Sequence, residues 1–469
     1  MADRQRIHLI GICGTAMATL AAMLKAQGHL VQGSDQHVYP PMSEFLEREG
    51  IAAYHGYAAA HVGDDVDLVV VGNAVSRGNP ELESVLDRRL RYCSLPEAVR
   101  DQFLWTRRPV VVAGTHGKTT TTALTGWLLT HGGQDPTVLV GGIAANLGAE
   151  GASYRLGAGP AFVIEGDEYD SAFFDKTAKF LKYLPDVAII GNVEFDHADI
   201  YADFDAVRLA FRRLVTLVPG NGLLLLGADS PAAAALRSSA VSPVETFGVD
   251  DAADWRAVDV EAVDGGTTFA VMRSGDRIGS FRSPLLGVHN VRNALAAIAV
   301  GYRAGIPAST LAEGLATFRG IKRRLETVGV ARGVTVVDDF AHHPTAVRET
   351  LAAVRQAYPS RRIWAVFEPR SASSCRRVFQ DDFAGAFDAA DQVILAQVYR
   401  TSLPESERLS VDELVASLGT RGVQARVLPD VPAIIEALVE ACEPGDLVVV
   451  MSNGGFGGIH RLLLGALGA

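Results

Sequence analysis

The chain predicts an α/β protein made of parallel sheets flanked by helices, and three observations lead there. Short apolar, strand-like runs alternate with helical patterns almost from end to end. At 469 residues the chain is too long for one hydrophobic core. The alternation also separates into three blocks, which open with "IHLIGICG", "VVVAGTHGK" and "VTVVDDFAHH". No sequence repeat or low-complexity linker interrupts them. A hydrophobic fraction of 48% with 21% charged residues is ordinary globular composition and leaves no room for extensive disorder.

The same composition excludes several functions. A formal charge of −11 argues against nucleic acid as a partner, because phosphate-backbone binding needs a net basic surface. Cys13, Cys93, Cys375 and Cys442 lie far apart, with no spacing that suggests zinc or a disulfide framework, and this fits a reducing cytoplasm. The start "MADRQRIHLIGICG" runs from charge straight into a short strand and predicts no secretory signal. No apolar segment is long enough to cross a bilayer, so no membrane role is expected.

The first block, "IHLIGICGTAMATLAAMLKAQGHLVQGSD", reads as strand, glycine turn, amphipathic helix and second strand ending at Asp35. It has the order of a dinucleotide fold. Its turn, Gly11-Ile-Cys13-Gly14-Thr15-Ala16, lacks the third glycine of the full fingerprint, while the acid follows at about the expected distance.

The second block begins near Pro109 with "VVVAGTHGKTTTT", a buried strand running into a glycine turn, one lysine and four threonines. Such a turn aims backbone N–H groups, a helix's positive end and Lys118 at one anion. A strict phosphate-loop pattern wants glycine where Val112 stands, but the shorter form Gly114-Thr115-His116-Gly117-Lys118-Thr119, followed by Thr120, can do the same work. The strands in "AFVIEGDEYD" and "DVAIIGNVEFDH" end in acids and an imidazole, so Glu165, Asp167, Glu168 and His197 are expected to converge on the phosphates. Magnesium takes few protein ligands, usually one or two carboxylates beside phosphate oxygens and water. Thr119 and Glu165 suit a first ion and His197 a second, which would bridge the γ-phosphate to an incoming carboxylate. Further on, "GVHNVRNALAAIAV" opens a helix bearing Asn290 and Asn293, and the basic turn "FRGIKRRLE" looks like a domain junction.

Gly-Thr-His-Gly-Lys-Thr, Glu165-Gly-Asp-Glu, Asn192-Val-Glu-Phe-Asp-His197, His289-Asn290-x-x-Asn293, Arg323-Arg324 and Asp338-Asp339-x-x-His342-His343-Pro344 follow one another along the chain. In that order they resemble the Mur ligases. The resemblance implies three domains: a Rossmann-like one for a UDP-sugar over 1–108, a central P-loop ATPase with a mostly parallel sheet over 109–325, and a Rossmann-like acceptor domain over 326–469. It implies a bacterial, cytoplasmic enzyme of peptidoglycan metabolism. ATP would activate the carboxylate of UDP-N-acetylmuramate as an acyl phosphate, an amine would attack it, and Mg2+ would assist. Carried over by position, Lys118, Glu165, His197 and Arg324 become the catalytic set. Asn290 and Asn293 fall on the adenine side and Asp339 at the ribose. Gly11, Cys13, Gly14, Thr15, Ala16, Met17, Asp35 and Asn146 fall at the UDP-sugar.

Within the family, "SDQHVYPPMS", "EGDEYDSAFFDKTAKFLKY", "FEPRSASS" and "VMSNGGFGGIH" look like the branch that attaches the intact tripeptide L-Ala-γ-D-Glu-meso-diaminopimelate. The rival branch adds L-alanine to the same UDP-sugar. Charge favours the larger acceptor, which carries several carboxylates. Three of the chain's six lysines, Lys176, Lys179 and Lys182, have a spacing near one helical face. Arg370 and Ser371, with the turn Ser452-Asn453-Gly454-Gly455-Phe456 before a helix, are the stronger acceptor candidates, since exposed N–H groups suit a carboxylate. One departure stands out. Relatives that add later amino acids hold a second magnesium with a carbamylated lysine, and here no lysine lies between Lys182 and Lys322. The corresponding region reads "AVRLAFRRLV". A dehydrogenase reading leaves the phosphate loop unexplained, and a regulator without chemistry has no use for Glu165, His197 and Arg324.

Overall fold

A computed structural model describes residues 4–39, 42–400 and 402–468; Pro40 and Pro41 of the "SDQHVYPPMS" stretch lie outside them. The chain packs as two compact units. The first takes the chain to Ile143 with Leu147–Val193 and Arg208–Thr246; the second takes Ala144–Asn146, Glu194–Val207 and the chain from Phe247.

In the first unit the opening run Arg6–Ile10 buries Ile7, Leu9 and Ile10 together, as a strand covered on both faces does. It sits in the middle of a five-stranded parallel sheet, ordered Ala52–His55, Leu30–Asp35, Arg6–Ile10, Leu68–Val71, Tyr92–Ser94. The second strand ends at Asp35, as the sequence predicts. Gly11 turns the chain out of the first strand at φ 85°, a conformation other residues adopt only with strain, into the helix Thr15–Ala26.

The phosphate-loop strand Arg108–Ala113 lies within a second sheet. In this unit its order is Val244–Gly248, Leu223–Gly227, Val187–Ile190, Arg108–Ala113, Ala161–Glu165, Thr137–Ala144, Ala152–Arg155. The strands beside Arg108–Ala113 run parallel to it, and their register pairs Val112 with Glu165 and Ala113 with Ile190. Three strands therefore finish level, and the segments after Ala113, Glu165 and Ile190 emerge at one carboxyl-terminal edge. Ligands collect at such an edge.

The lysine triplet departs from its predicted helix. Lys176 lies in the strand Asp175–Ala178, which hairpins against Asp170–Ala172, and Lys179 and Lys182 bound a single 3₁₀ turn. Thr177 donates its N–H and hydroxyl to Asp175, which ties the tight turn. A period of three over so short a stretch does not distinguish a helix from a hairpin leading into a turn.

The second unit holds an antiparallel meander, Trp255–Val263, Gly266–Arg273 and Asp276–Ser283, with the helix Val288–Arg303. Its six-stranded sheet is ordered Glu326–Ala331, Val334–Asp339, Leu447–Met451, Ile363–Phe367, Gln392–Ala396, Gln424–Leu428, parallel except for the first strand. Successive residues point to opposite faces, so Val337, Val449 and Phe367 enter one core while Val336, Val448 and Val366 enter the other. These are the doubly covered strands that the block's apolar runs predict. Among the described residues no helix is long and apolar enough to cross a membrane.

Candidate active site

The phosphate loop is built by two glycines and an asparagine. Gly114 has φ 130°, and a Cβ there would stand 3.1 Å from the Asn192 carbonyl oxygen. Gly117, at φ 79°, caps the helix Lys118–His131. Asn192, just beyond the strand Val187–Ile190, accepts the Thr115 N–H on its carbonyl at 3.0 Å and the His116 N–H on Oδ1 at 2.8 Å. Loop and neighbouring strand end are thus one rigid piece.

At the helix start Lys118 is buried, and its Nζ lies 2.9 and 3.0 Å from the two Glu168 carboxylate oxygens and 2.9 Å from the Gly114 carbonyl. Burial opposes the ammonium's charge, but Glu168, Asp167 and Glu165 outweigh it and raise the Lys118 pKa. The lysine stays a cation. One residue on, Thr119 donates its hydroxyl to Glu165 Oε1 at 2.8 Å, and Glu165 Oε2 accepts the Gly141 N–H at 2.7 Å. Burial, with the charge of Asp167, raises the Glu165 pKa above the ordinary carboxylate value, against the pull of Lys118. The sequence thus brings Lys118, Thr119, Glu165 and Glu168 together as expected. Asp167 turns instead toward Lys179, at 3.4 Å.

The nucleotide-sugar candidates form a second, separate turn of this unit. The Gly11 and Ile12 N–H groups both bind the Ser34 carbonyl, at 2.8 and 3.0 Å, and the Cys13 N–H binds Asp35 Oδ2 at 2.9 Å. Gly14 caps the helix that carries Thr15, Ala16 and Met17, with no side-chain cap at its positive end. Desolvation, then Asp35, pushes the Cys13 thiol up to about 11, so it remains protonated. Asn146 is not part of this turn. It belongs to the second unit, where its amide donates to the Thr317 carbonyl at 3.1 Å and accepts the Arg319 N–H at 2.7 Å.

The remaining candidates also fall in the second unit. His197 is buried at φ 54° beside Asp196. Burial works against the Asp196 charge, yet His197, His342 and His343 hold its carboxyl well below the usual range. Asn290 donates to the Leu286 carbonyl at 2.9 Å, and Asn293 to Asn290 Oδ1 at 3.1 Å. Asp339 ends its strand accepting from the Leu325 N–H at 2.7 Å, the Ala341 N–H at 2.8 Å and Thr350 Oγ1 at 3.2 Å. Arg324 lies over the Phe340 ring, 4.6 Å from its centroid. In the acceptor candidates, Arg370 stacks on Tyr399 at 3.9 Å and reaches Glu368 at 3.5 Å. Ser452 donates to Glu368 at 2.5 Å, Ser371 donates to Ser374 at 2.8 Å, and Asn453 Oδ1 is buried without a hydrogen-bond donor. Phe456 is buried at φ 41°.

Each lysine of the triplet faces an aspartate: Lys176 to Asp170 at 2.6 Å, Lys179 to Asp167 at 3.4 Å and Lys182 to Asp175 at 2.7 Å. Lys179 also lies over Tyr169. The expected cationic helix face is a set of neutralised pairs. The sequence reading left two residues out of this site. Asn192 stands inside a motif it quoted, and a polar residue at a strand's carboxyl end is its signal. Gly141 gives no local signal, since its N–H matters only where its strand lies beside Glu165.

A lysine and a hydroxyl–carboxylate pair at the carboxyl edge of a parallel sheet, with a second glycine turn after another strand, have the donor set of an ATP-using enzyme. Three family descriptions match in order: "Mur ligase family, catalytic domain" over residues 6–103, "Mur ligase middle domain" over 112–301 and "Mur ligase, glutamate ligase domain" over 323–454. The chain belongs to the Mur ligase family, whose members form carbon–nitrogen bonds as ATP is cleaved to ADP. It is 41% identical to the UDP-N-acetylmuramate–L-alanyl-γ-D-glutamyl-meso-2,6-diaminoheptandioate ligase of Escherichia coli, with 98% of each chain covered. A murein peptide ligase structure from Psychrobacter arcticus matches at TM-score 0.73 and 37% identity over 99% of each chain. The UDP-N-acetylmuramate–alanine ligase structure from Thermotoga maritima matches at TM-score 0.80 and 26% identity, over 98% of this chain and 99% of that one.

Proposed function

We propose that this chain joins the carboxylate of UDP-N-acetylmuramate to the L-alanine α-amine of L-Ala-γ-D-Glu-meso-diaminopimelate, in the recycling of peptidoglycan in a bacterial cytoplasm. The observation that carries the choice of acceptor is the 41% identity to a tripeptide ligase along nearly the whole of both chains. Residues 1–108 take the UDP-sugar, 109–325 take ATP and 326–469 take the peptide.

A carboxylate oxygen attacking the γ-phosphorus brings two anions together, so charge must be supplied where it builds up. Lys118 offers a buried cation that can exchange Glu168 for phosphate oxygens, while Arg324 adds a second cation. The first turn of the helix Lys118–His131 turns its positive end to the same anion. Thr119 and Glu165 are hard oxygen donors already 2.8 Å apart, a donor set that fits Mg2+. Bound there with ATP, the ion would screen the phosphates, and His197 is the candidate for a second ion. As the carboxylate oxygen bonds to the γ-phosphorus, the bond from that phosphorus to the β–γ bridging oxygen breaks, and ADP leaves with its electron pair, giving the acyl phosphate. The peptide amine then attacks the acyl carbon, phosphate departs and the ammonium proton is lost. On the acceptor side Arg370, Ser371, Ser452 and Asn453 meet the peptide, with Arg370 the partner for a carboxylate, while Phe456 packs into the core.

Ligation of L-alanine to the same UDP-sugar is the second reading, favoured by the 0.80 TM-score with the Thermotoga alanine ligase. Phosphate release with ATP, UDP-N-acetylmuramate and either amine decides between them. Tripeptide should give much the higher kcat/KM, and a higher value for L-alanine makes this an alanine ligase.

A further inference from the structure

Behind the nucleotide-sugar turn lies a buried carboxylate that the chemistry above does not use. Glu81 stands in the first turn of the helix Pro80–Asp87 and has no solvent exposure. Its oxygens meet four donors from three segments. His61 Nδ1 lies 2.7 Å from Oε1, and the Ala58 N–H donates to Oε1 at 3.1 Å. His8 Nε2 lies 3.2 Å from Oε2, and Ser34 donates its hydroxyl to the same oxygen. Burial alone would favour the protonated acid, but these donors outweigh it and hold the Glu81 pKa below the ordinary value.

The network converges on Ser34. The carbonyl of that residue accepts both the Gly11 and Ile12 N–H groups, and the following residue, Asp35, accepts the Cys13 N–H. Fixing the Ser34 side chain therefore fixes the carbonyl and carboxylate that shape the turn. Ser34 is fully buried, and its strand is pressed so close that a Cβ on Gly33 would stand 2.3 Å from the Leu9 carbonyl oxygen. A displacement of Ser34 has no slack to absorb it before the turn.

We infer that Glu81 is a positioning residue for the UDP-sugar: through Ser34 it sets the Gly11–Cys13 backbone that receives the ligand. The inference rests on the nucleotide-sugar reading of that turn and deepens it.

The test is equilibrium binding of UDP-N-acetylmuramate and, separately, of ATP to full-length protein, wild type and Glu81→Gln, with thermal unfolding of each. Glu81→Gln keeps the shape and removes the charge that gathers four donors. The expected result is UDP-sugar binding weakened by about tenfold or more, the scale for losing one well-placed hydrogen bond to a charged ligand. ATP binding should not change. In turnover the KM for UDP-N-acetylmuramate should rise while kcat and the KM for ATP stay near wild type. Ser34→Ala, which removes one donor, should reproduce the selective loss and serves if Glu81→Gln does not fold. Unchanged UDP-sugar affinity in a folded variant overturns the inference, as does an equal loss of both ligands with a lowered melting temperature, which marks a merely structural residue. A wild-type protein that binds ATP but not UDP-N-acetylmuramate overturns the nucleotide-sugar reading and this role with it.

Discussion

Thr119 Oγ1 lies 2.8 Å from Glu165 Oε1, and the other oxygen of that carboxylate accepts the Gly141 N–H at 2.7 Å. Three segments thus fix one carboxylate against the start of the phosphate-loop helix. Glu165→Ala should lower kcat by roughly 10²-fold or more, the scale for losing one preorganised electrostatic contact in a transition state. Gly141→Ala tests the same geometry without touching the carboxylate. Its added Cβ would stand 2.8 Å from Glu165 Oε2, so the acid must move, and turnover should fall by about tenfold or more. Wild-type turnover in either folded variant removes that residue from the site.

The Lys118–Glu168 pair is buried, with side chains 10% and 3% exposed. Removing one partner of such a pair strands a charge and costs about 3–5 kcal/mol. Lys118→Ala should therefore lose both turnover, by roughly 10²-fold or more, and stability in urea. The double variant Lys118→Met/Glu168→Gln should regain most of the stability and none of the turnover. A stable Lys118→Ala protein would show that Glu168 is not stranded.

Burial raises the folded pKa of Glu165 above its unfolded value of 4.5, so the folded chain holds this proton more tightly than the unfolded chain. The cost of ionising it is absent below pH 4.5 and grows as pH rises through the folded pKa. Without metal or nucleotide, Glu165→Gln should gain melting temperature relative to wild type as pH rises from 4.5 toward neutral. A difference that stays flat with pH would mean that Glu165 ionises as freely folded as unfolded.

The helix Phe204–Thr216 carries Arg208, Arg212 and Arg213 and no lysine. A guanidinium stays protonated at any workable pH and does not capture carbon dioxide as a carbamate. Activity at fixed pH and ionic strength should be indifferent to bicarbonate. Severalfold, reversible rescue of degassed enzyme would show a modified lysine elsewhere and displace His197 from the proposed metal set.

Much of this was legible locally. The strand–glycine–lysine order of residues 110–119 places a helix start at a sheet edge, because a buried parallel strand and a positive-φ glycine leave the chain few other routes. The acids after Ile164 could be assigned to that edge by the same logic. The lysine triplet was misread because three residues of separation fit a helix face and an antiparallel hairpin leading into a 3₁₀ turn equally well, and cross-strand pairing with Asp170–Ala172 decided the matter. Asn146 was placed by family position alone, and its amide bonds to Thr317 and Arg319, more than a hundred and seventy positions away, which no local pattern shows.

By itself, then, the sequence determined the α/β class, the two glycine turns after buried strands and the place of Lys118 and Thr119 at a helix start and of Glu165 at a strand end, since strand burial, helix polarity and glycine conformations act over a few residues. Only the tertiary structure decided which groups those residues meet. That Glu168 neutralises Lys118, that Gly141 holds Glu165, that Asn192 pins the loop and that Glu81 reaches Ser34 all depend on sheet order and register. These bring together residues tens of positions apart, and the low dielectric of the interior then makes each meeting strong.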